Sequence, residues 1–247
     1  MEYAIVTGAS KGLGASAAQE FISKGISVIS VSRSENIDLK QSAGVSYKHY
    51  SCDLSSAQQV QSVFANICEE VFQHAENVYV INNAGVIEPI DIAGELDAAL
   101  VQRNIQVNLS APILISNLFL QKAKETGARV IIANVTSGAG ERPIQGWSIY
   151  CSTKAAVNMF TKTAGLELEN SGSSNKVIAF SPGIMDTDMQ VTIRSSSEEA
   201  FADVDTFRNY KESGSLRSPD TVAGALVKLV LADHLDNGKI YNVNNLL

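Results

Sequence analysis

The chain has 247 residues, 45% of them hydrophobic and 18% charged, with a formal net charge of −7 at pH 7. That length suits one large α/β domain or two small ones, and that apolar fraction suffices for a packed core. The acidic balance and scattered basic residues exclude the footprint of a nucleic-acid or anionic-membrane binder, and no apolar run approaches the ~18 residues of a membrane span.

The opening MEYAIVTGAS has neither a basic n-region nor a long apolar run, so no signal peptide is expected. Cys52, Cys68 and Cys151 form no CxxC, and free thiols in a reducing cytoplasm are the expectation. His49, His74 and His234 lack metal-ligand spacing, so no metal is expected.

In chain order the sequence alternates. EYAIVTG is a short apolar run ending in Gly8 and reads as a buried strand, and GASAAQEFISKG has helical periodicity that stops at Gly25. ISVISVSR and the weaker YKHYSCDL are the next strands, SAQQVQSVFANICEEVF a helix and NVYVINNAG a fourth strand. A long helical stretch runs from about Asp97 to Glu125, with Pro112 as a kink point. ARVIIANVTSG is a fifth strand, and Ser148 to about Glu169 the helix after it. KVIAFSPG, then SPDTVAGALVKLVLAD with Pro219 near its start, then GKIYNVN read as strand, helix and strand. This alternation, without repeats or linkers, predicts one α/β domain over residues 1–247 with a parallel sheet covered by helices on both faces. Residues 190–217 are polar and strand-free, and predict a substrate lid or a surface excursion with a short helix.

TGASKGLG follows the first strand and opens the first helix. Its Gly8, Gly12 and Gly14 are spaced GxxxGxG rather than GxGxxG. Glycines allow a tight turn and close backbone approach, and a helix N-terminus offers free N–H groups to a pyrophosphate. The second strand ends in Ser32 and Arg33, with no carboxylate where an NAD site holds the ribose hydroxyls. Lys11 adds a cation inside the loop. Two cations and a hydroxyl suit a 2′-phosphate, so NADP(H) is the expected cofactor.

The segments TGASKGLG, CDL, NNAG, VNLSAP, TSGAG, YCSTK and SPGIMDTDM occur in the order and spacing of the short-chain dehydrogenase/reductases, and the chain resembles that family over essentially its whole length. The resemblance implies a Rossmann-type doubly wound sheet of about seven parallel strands. It implies a catalytic set of Asn108, Ser137, Tyr150 and Lys154, with Thr136 less suitable than Ser137 on spacing. It assigns Gly8, Ser10, Lys11, Gly12, Leu13 and Gly14 to the cofactor turn, and Asp53 and Leu54 to the adenine. Asn83, Ala84 and Gly85 would pass under the adenosine ribose. Pro182, Gly183 and Thr187 would cover the nicotinamide amide. A homodimer, or a tetramer, through the helices that start near Asp97 and Ser148 is implied too.

Tyr150 and Lys154 lie four apart on one helical face. A nearby cation in a site that excludes water favours the phenolate, so Lys154 is expected to draw Tyr150 down from its ordinary pKa of about 10. Tyr150 would then pass a proton to a substrate carbonyl oxygen while Ser137 donates a hydrogen bond to it. Asn108 would anchor a water linking Lys154 to solvent.

The C-terminal half resembles the branch holding sepiapterin reductases and bacterial benzil reductases, which implies an NADPH-dependent reductase of small vicinal diketones giving an (S)-α-hydroxy ketone. Pterin reductases of that branch carry an acidic residue in the last strand, where Asn242 is the nearest position here. A different ketoreductase substrate and a non-catalytic NADPH sensor are the other readings. The candidate pocket is Ser137, Ile144, Trp147, Tyr150, Met185 and Met189, in which Trp147 could stack on an aryl ketone and the methionines adapt to apolar shapes.

Overall fold

The apolar runs are strands because both of their faces are covered. The structure is a computed structural model and describes residues 1–39 and 45–247. Strands β1 (Glu2–Thr7), β2 (Ser27–Ser32), β3 (Tyr47–Ser51), β4 (Asn77–Asn82), β5 (Arg129–Val135), β6 (Lys176–Ser181) and β7 (Ile240–Asn242) form one seven-stranded sheet. Every pairing is parallel and the order is β3-β2-β1-β4-β5-β6-β7. Alternate residues feed two cores. Ala4, Val6, Ile81, Ile131 and Phe180 face helices α1 (Gly12–Ser23) and α8 (Pro219–Val230), which bring Phe21, Ile22, Leu226 and Val230. Ile5, Val80, Val130, Ile132 and Val177 face the other way, toward Phe64 and Ile67 of α2 (Ala57–Val71), Ile115 and Phe119 of α4 (Ala111–Thr126) and Ala164 of α5 (Ser148–Asn170). A strand buried on both sides must be apolar at every position, hence runs such as AIV and VIIA.

Local signals set the helix ends. Ser56 caps α2 by accepting from the Gln59 N–H, and Ser218 caps α8 with Pro219 at its first position. Gly127 ends α4 in the left-handed conformation. Among the described residues, no helix is long and apolar enough to cross a membrane.

Two segments differ from the sequence-based expectation. The Asp97–Glu125 stretch is α3 (Ala98–Ile105) and α4 joined by a π-helical turn, Gln106–Ser110, so the irregularity precedes Pro112. Pro112 has no N–H for the Asn108 carbonyl four residues back. The wider turn, in which Ala111 N–H reaches Gln106 O, absorbs that loss. The 190–217 interval is an ordered pair of helices, α6 (Asp188–Arg194) and α7 (Val204–Glu212). Its polar composition hid three buried anchors, Ile193, Phe201 and Val204.

Strand order reverses between β1 and β4. The connections leaving them run to opposite sides of the sheet, which opens a crevice at their carboxyl ends. The glycine loop lies there. A Cβ on Gly14 would collide with the Gly8 carbonyl oxygen, so α1 can lie that close to the loop only with glycine at this position. Gly224, in α8, has nothing within 4 Å of the same point. Gly14→Ala is therefore expected to destabilise by about 1–3 kcal/mol, and Gly224→Ala to stabilise by about 0.5–1 kcal/mol, both read from urea unfolding. Equal effects at the two positions would contradict this packing.

Candidate active site

Helix α5 brings Tyr150 and Lys154 to the carboxyl end of β5. Both are buried, 6% and 4% exposed. Lys154 Nζ donates to the Val135 carbonyl at 2.8 Å, the last residue of β5, and lies 5.6 Å from the centre of the Tyr150 ring. Burial pushes the lysine down from 10.5 to about 8. It pushes the phenol up from 10.0 to about 12, against a smaller opposing effect of the nearby Ser137 hydroxyl. The expected depression of Tyr150 by Lys154 is thus not found: burial disfavours the charged form of each group.

Ser137 lies two residues past the end of β5. Its Oγ accepts from Ala139 N–H at 3.2 Å and faces the Tyr150 phenol. Thr136, its neighbour, is buried with no partner for its hydroxyl. Asn108 sits in the π turn with its amide bonded to both backbone groups of Val86. Oδ1 accepts from Val86 N–H at 2.9 Å, and Nδ2 donates to Val86 O at 2.7 Å. Gly85 lies between Asn108 and Lys154. A Cβ there would stand 3.4 Å from Asn108 Oδ1 and 3.7 Å from Lys154 Nζ.

The cofactor-side residues converge on the crevice. Thr7, which sequence reasoning passed over, is the tie. Its buried hydroxyl accepts from Asn83 N–H and Ala84 N–H, both at 3.0 Å, and Asn83 Nδ2 donates to Thr7 O at 2.9 Å. The signal was available, since Thr7 opens the TGASKGLG segment. Asp53 accepts from the Ser55 N–H and hydroxyl, which, with Arg33 and Arg103 nearby, hold its carboxyl below the usual range. Ser32 donates to Ser34 O, Arg33 is exposed, and Lys11 pairs with Asp188 at the start of α6. Gly183, at φ +70°, carries the chain from β6 toward Thr187, whose methyl lies 3.5 Å from where a Gly12 Cβ would be.

The α6–α7 excursion forms one wall. It has a closed neck, where Asp186 N–H donates to Arg217 O and Arg217 N–H to Ile184 O. Its middle docks on the start of α5. Gln145 Oε1 accepts from Ala202 N–H at 2.6 Å, Gln145 Nε2 donates to Glu199 O, and Gly146 leaves no room for a side chain against Ala200. Trp147 stacks on Phe201 at 4.9 Å and meets Tyr150 edge-on at 5.7 Å. One face of Trp147 is thus covered by protein. Ile144 and Met189 pack with this cluster beside Ile87, whereas Met185 packs against the α1–α8 core.

Comparison with known proteins matches this arrangement to one family. The family model described as short chain dehydrogenase covers residues 2–198. The chain belongs to the short-chain dehydrogenase/reductase family. It is 40% identical to a Bacillus subtilis protein named benzil reductase ((S)-benzoin forming), over all of both chains, and 34% identical to a Bacillus cereus protein of the same name, over 99% of this chain and 100% of that one. The crystal structure of the KRED1-Pglu enzyme superposes with a TM-score of 0.82 at 27% identity, covering 98% and 100% of the two chains. This member of the family is therefore an oxidoreductase acting on CH–OH/C=O groups, with a small-molecule substrate. Its cofactor class is a nicotinamide dinucleotide, and more distant structures of this fold hold NADH or NADP.

The residues present fit such a cofactor. Helix α1 begins beside Gly12 at the crevice with no side-chain cap and no acidic residue in its first turn, which leaves its first N–H groups for a phosphate.

The two shifted groups leave opposite marks on stability. Between about 8 and 10.5 the unfolded chain binds more protons at Lys154 than the native one, so this group's contribution to stability rises with pH across that window. Tyr150 acts in reverse: its contribution is whole below 10.0 and lost as pH rises through about 12. Urea unfolding of wild type and Lys154→Met without cofactor is expected to show wild-type stability gaining on the variant from pH 8 to 10. A difference that does not change with pH would contradict a desolvated lysine.

Proposed function

We propose that the chain is an NADPH-dependent carbonyl reductase that reduces one carbonyl of a benzil-type 1,2-diketone to an (S)-α-hydroxy ketone. The observation that carries the reading is the meeting of the Ser137 hydroxyl and the Tyr150 phenol, with Lys154 behind them, against the apolar wall of Ile87, Ile144, Trp147 and Met189. Full-length likeness to two proteins named benzil reductase supports the substrate class. The second carbonyl of a vicinal diketone withdraws electrons and eases addition at the first.

The nicotinamide supplies the hydride when bound. Tyr150, kept protonated by burial, donates its proton to the substrate oxygen, and Ser137 donates a hydrogen bond to the same atom as negative charge grows there. Lys154, largely protonated at neutral pH, then stabilises the phenolate left on Tyr150. The Asn108 side chain is committed to Val86 and Asn104, so a water that returns the proton would sit on the Asn108 main-chain carbonyl, which Pro112 cannot engage. The α6–α7 excursion serves as the substrate wall and lid. Lys11, released from Asp188, and Arg33 bind the 2′-phosphate beside Ser32.

Asn242, a neutral amide whose Oδ1 accepts from Asn244 N–H at 2.9 Å, offers no charged grip for a pterin edge.

Initial rates with benzil and 1-phenyl-1,2-propanedione, each with NADPH and NADH and with sepiapterin as comparator, test the reading. Fast diketone turnover with NADPH is expected. Turnover of sepiapterin alone would contradict the substrate class. Arg33→Ala is expected to raise KM for NADPH about 10- to 100-fold, the loss of a charge-assisted hydrogen bond, without affecting NADH. Equal effects on both cofactors would contradict the phosphate assignment.

A further inference from the structure

One side chain outside the reacting set uses every hydrogen bond it has on the segments that carry that set. Asn104 lies in α3, one turn before Asn108, and is fully buried. Its Oδ1 accepts from Asn108 Nδ2 at 2.8 Å and from Thr153 Oγ1 at 3.1 Å. Its Nδ2 donates to Val86 O at 3.2 Å and Glu88 O at 2.7 Å. An amide has two acceptor sites and two protons, so all four are taken.

The partners belong to three segments. Asn108 is in the π turn, Thr153 is on α5 between Tyr150 and Lys154, and residues 86–88 continue the Asn83–Gly85 turn. An apolar residue would fill the same volume without needing partners, and a buried polar group is costly unless satisfied. What the amide adds is geometry, since a fully connected polar network fixes one arrangement of the elements it joins.

We infer that Asn104 is a positioning residue for carbonyl reduction, setting α5, with Tyr150 and Lys154, against Asn108 and the turn beneath the cofactor. The inference rests on the functional reading of those residues given above. Thr153 is its link to α5. The Thr153 hydroxyl has one proton and two acceptors in reach, Asn104 Oδ1 and the Tyr150 carbonyl, each at 3.1 Å. Shared between the two acceptors in a three-centre bond, or given wholly to Asn104 Oδ1, that proton ties α3 to the turn of α5 that holds Tyr150.

The test is diketone reduction by Asn104→Ala, Thr153→Val, Thr153→Ser and the Asn104→Ala/Thr153→Val double variant, with NADPH affinity measured separately by fluorescence. Thr153→Val keeps the shape and loses the hydroxyl; Thr153→Ser keeps the hydroxyl. Asn104→Ala and Thr153→Val are expected to lower kcat about 10- to 100-fold through misplacement of the reacting groups, with NADPH affinity unchanged and Thr153→Ser near wild type. The double variant is expected to be little worse than the poorer single one, because the two residues act through one contact. Wild-type kcat in Thr153→Val, or losses that multiply in the double variant, would overturn the inference. If Asn104→Ala does not fold, the Thr153 pair decides. A wild-type chain inactive on every carbonyl would overturn the functional reading and this one with it, whereas variants as active as a working wild type overturn this one alone.

Discussion

The site depends on the hydrogen bond from Lys154 Nζ to the Val135 carbonyl. A lysine that ends its side chain in the interior needs a partner, because an isolated buried ammonium costs many kcal/mol. Meeting the last carbonyl of β5 fixes α5 over the end of that strand. It thereby fixes Tyr150, one turn earlier, opposite Ser137. One glycine makes the approach possible: a Cβ on Gly140 would lie 2.8 Å from the Lys154 backbone.

Burial then sets the charge states. It raises the phenol and lowers the ammonium, so without cofactor both groups are biased toward neutrality. A proton donor kept protonated next to a cation that retains its proton at neutral pH suits reduction, where the phenolate appears only after transfer. The wall over this pair is held by the 190–217 segment, further along the chain. The edge contact from Tyr150 to Trp147 continues through Phe201 and Phe207 to Tyr210 on α7, so the α6–α7 excursion and the reacting helix share one packed aromatic cluster.

Much of the fold was legible because the central strands are buried on both faces and most breaks are chemically marked. The runs around Ile5, Val80 and Ile132 are apolar throughout, and Gly25, Ser56, Gly127 and Pro219 end or begin helices as their chemistry dictates. Linear spacing also carried the YxxxK pair, since four residues is one helical turn. What escaped reading depends on partners distant in sequence. The π turn at Gln106–Ser110 relieves a conflict between Pro112 and Asn108 that a sequence shows only as a proline. The order in 190–217 rests on Phe201 meeting Trp147 and on Gln145 bonding Ala202, within a segment whose composition is polar. Trp147 looked like an open stacking face because its neighbour is 54 positions away in the chain, from 147 to 201. The direction of the Tyr150 shift was misread for the same reason: spacing supplies the lysine, but only the fold supplies the depth of burial.

The central claim, that Tyr150 delivers the proton, is tested most directly by Tyr150→Phe, which removes the hydroxyl and leaves the ring and its contact with Trp147. NADPH binding and unfolding stability should stay close to wild type, while diketone turnover falls by about 10²- to 10⁴-fold, the usual contribution of a positioned general acid. Turnover at the wild-type rate in that variant would contradict the account.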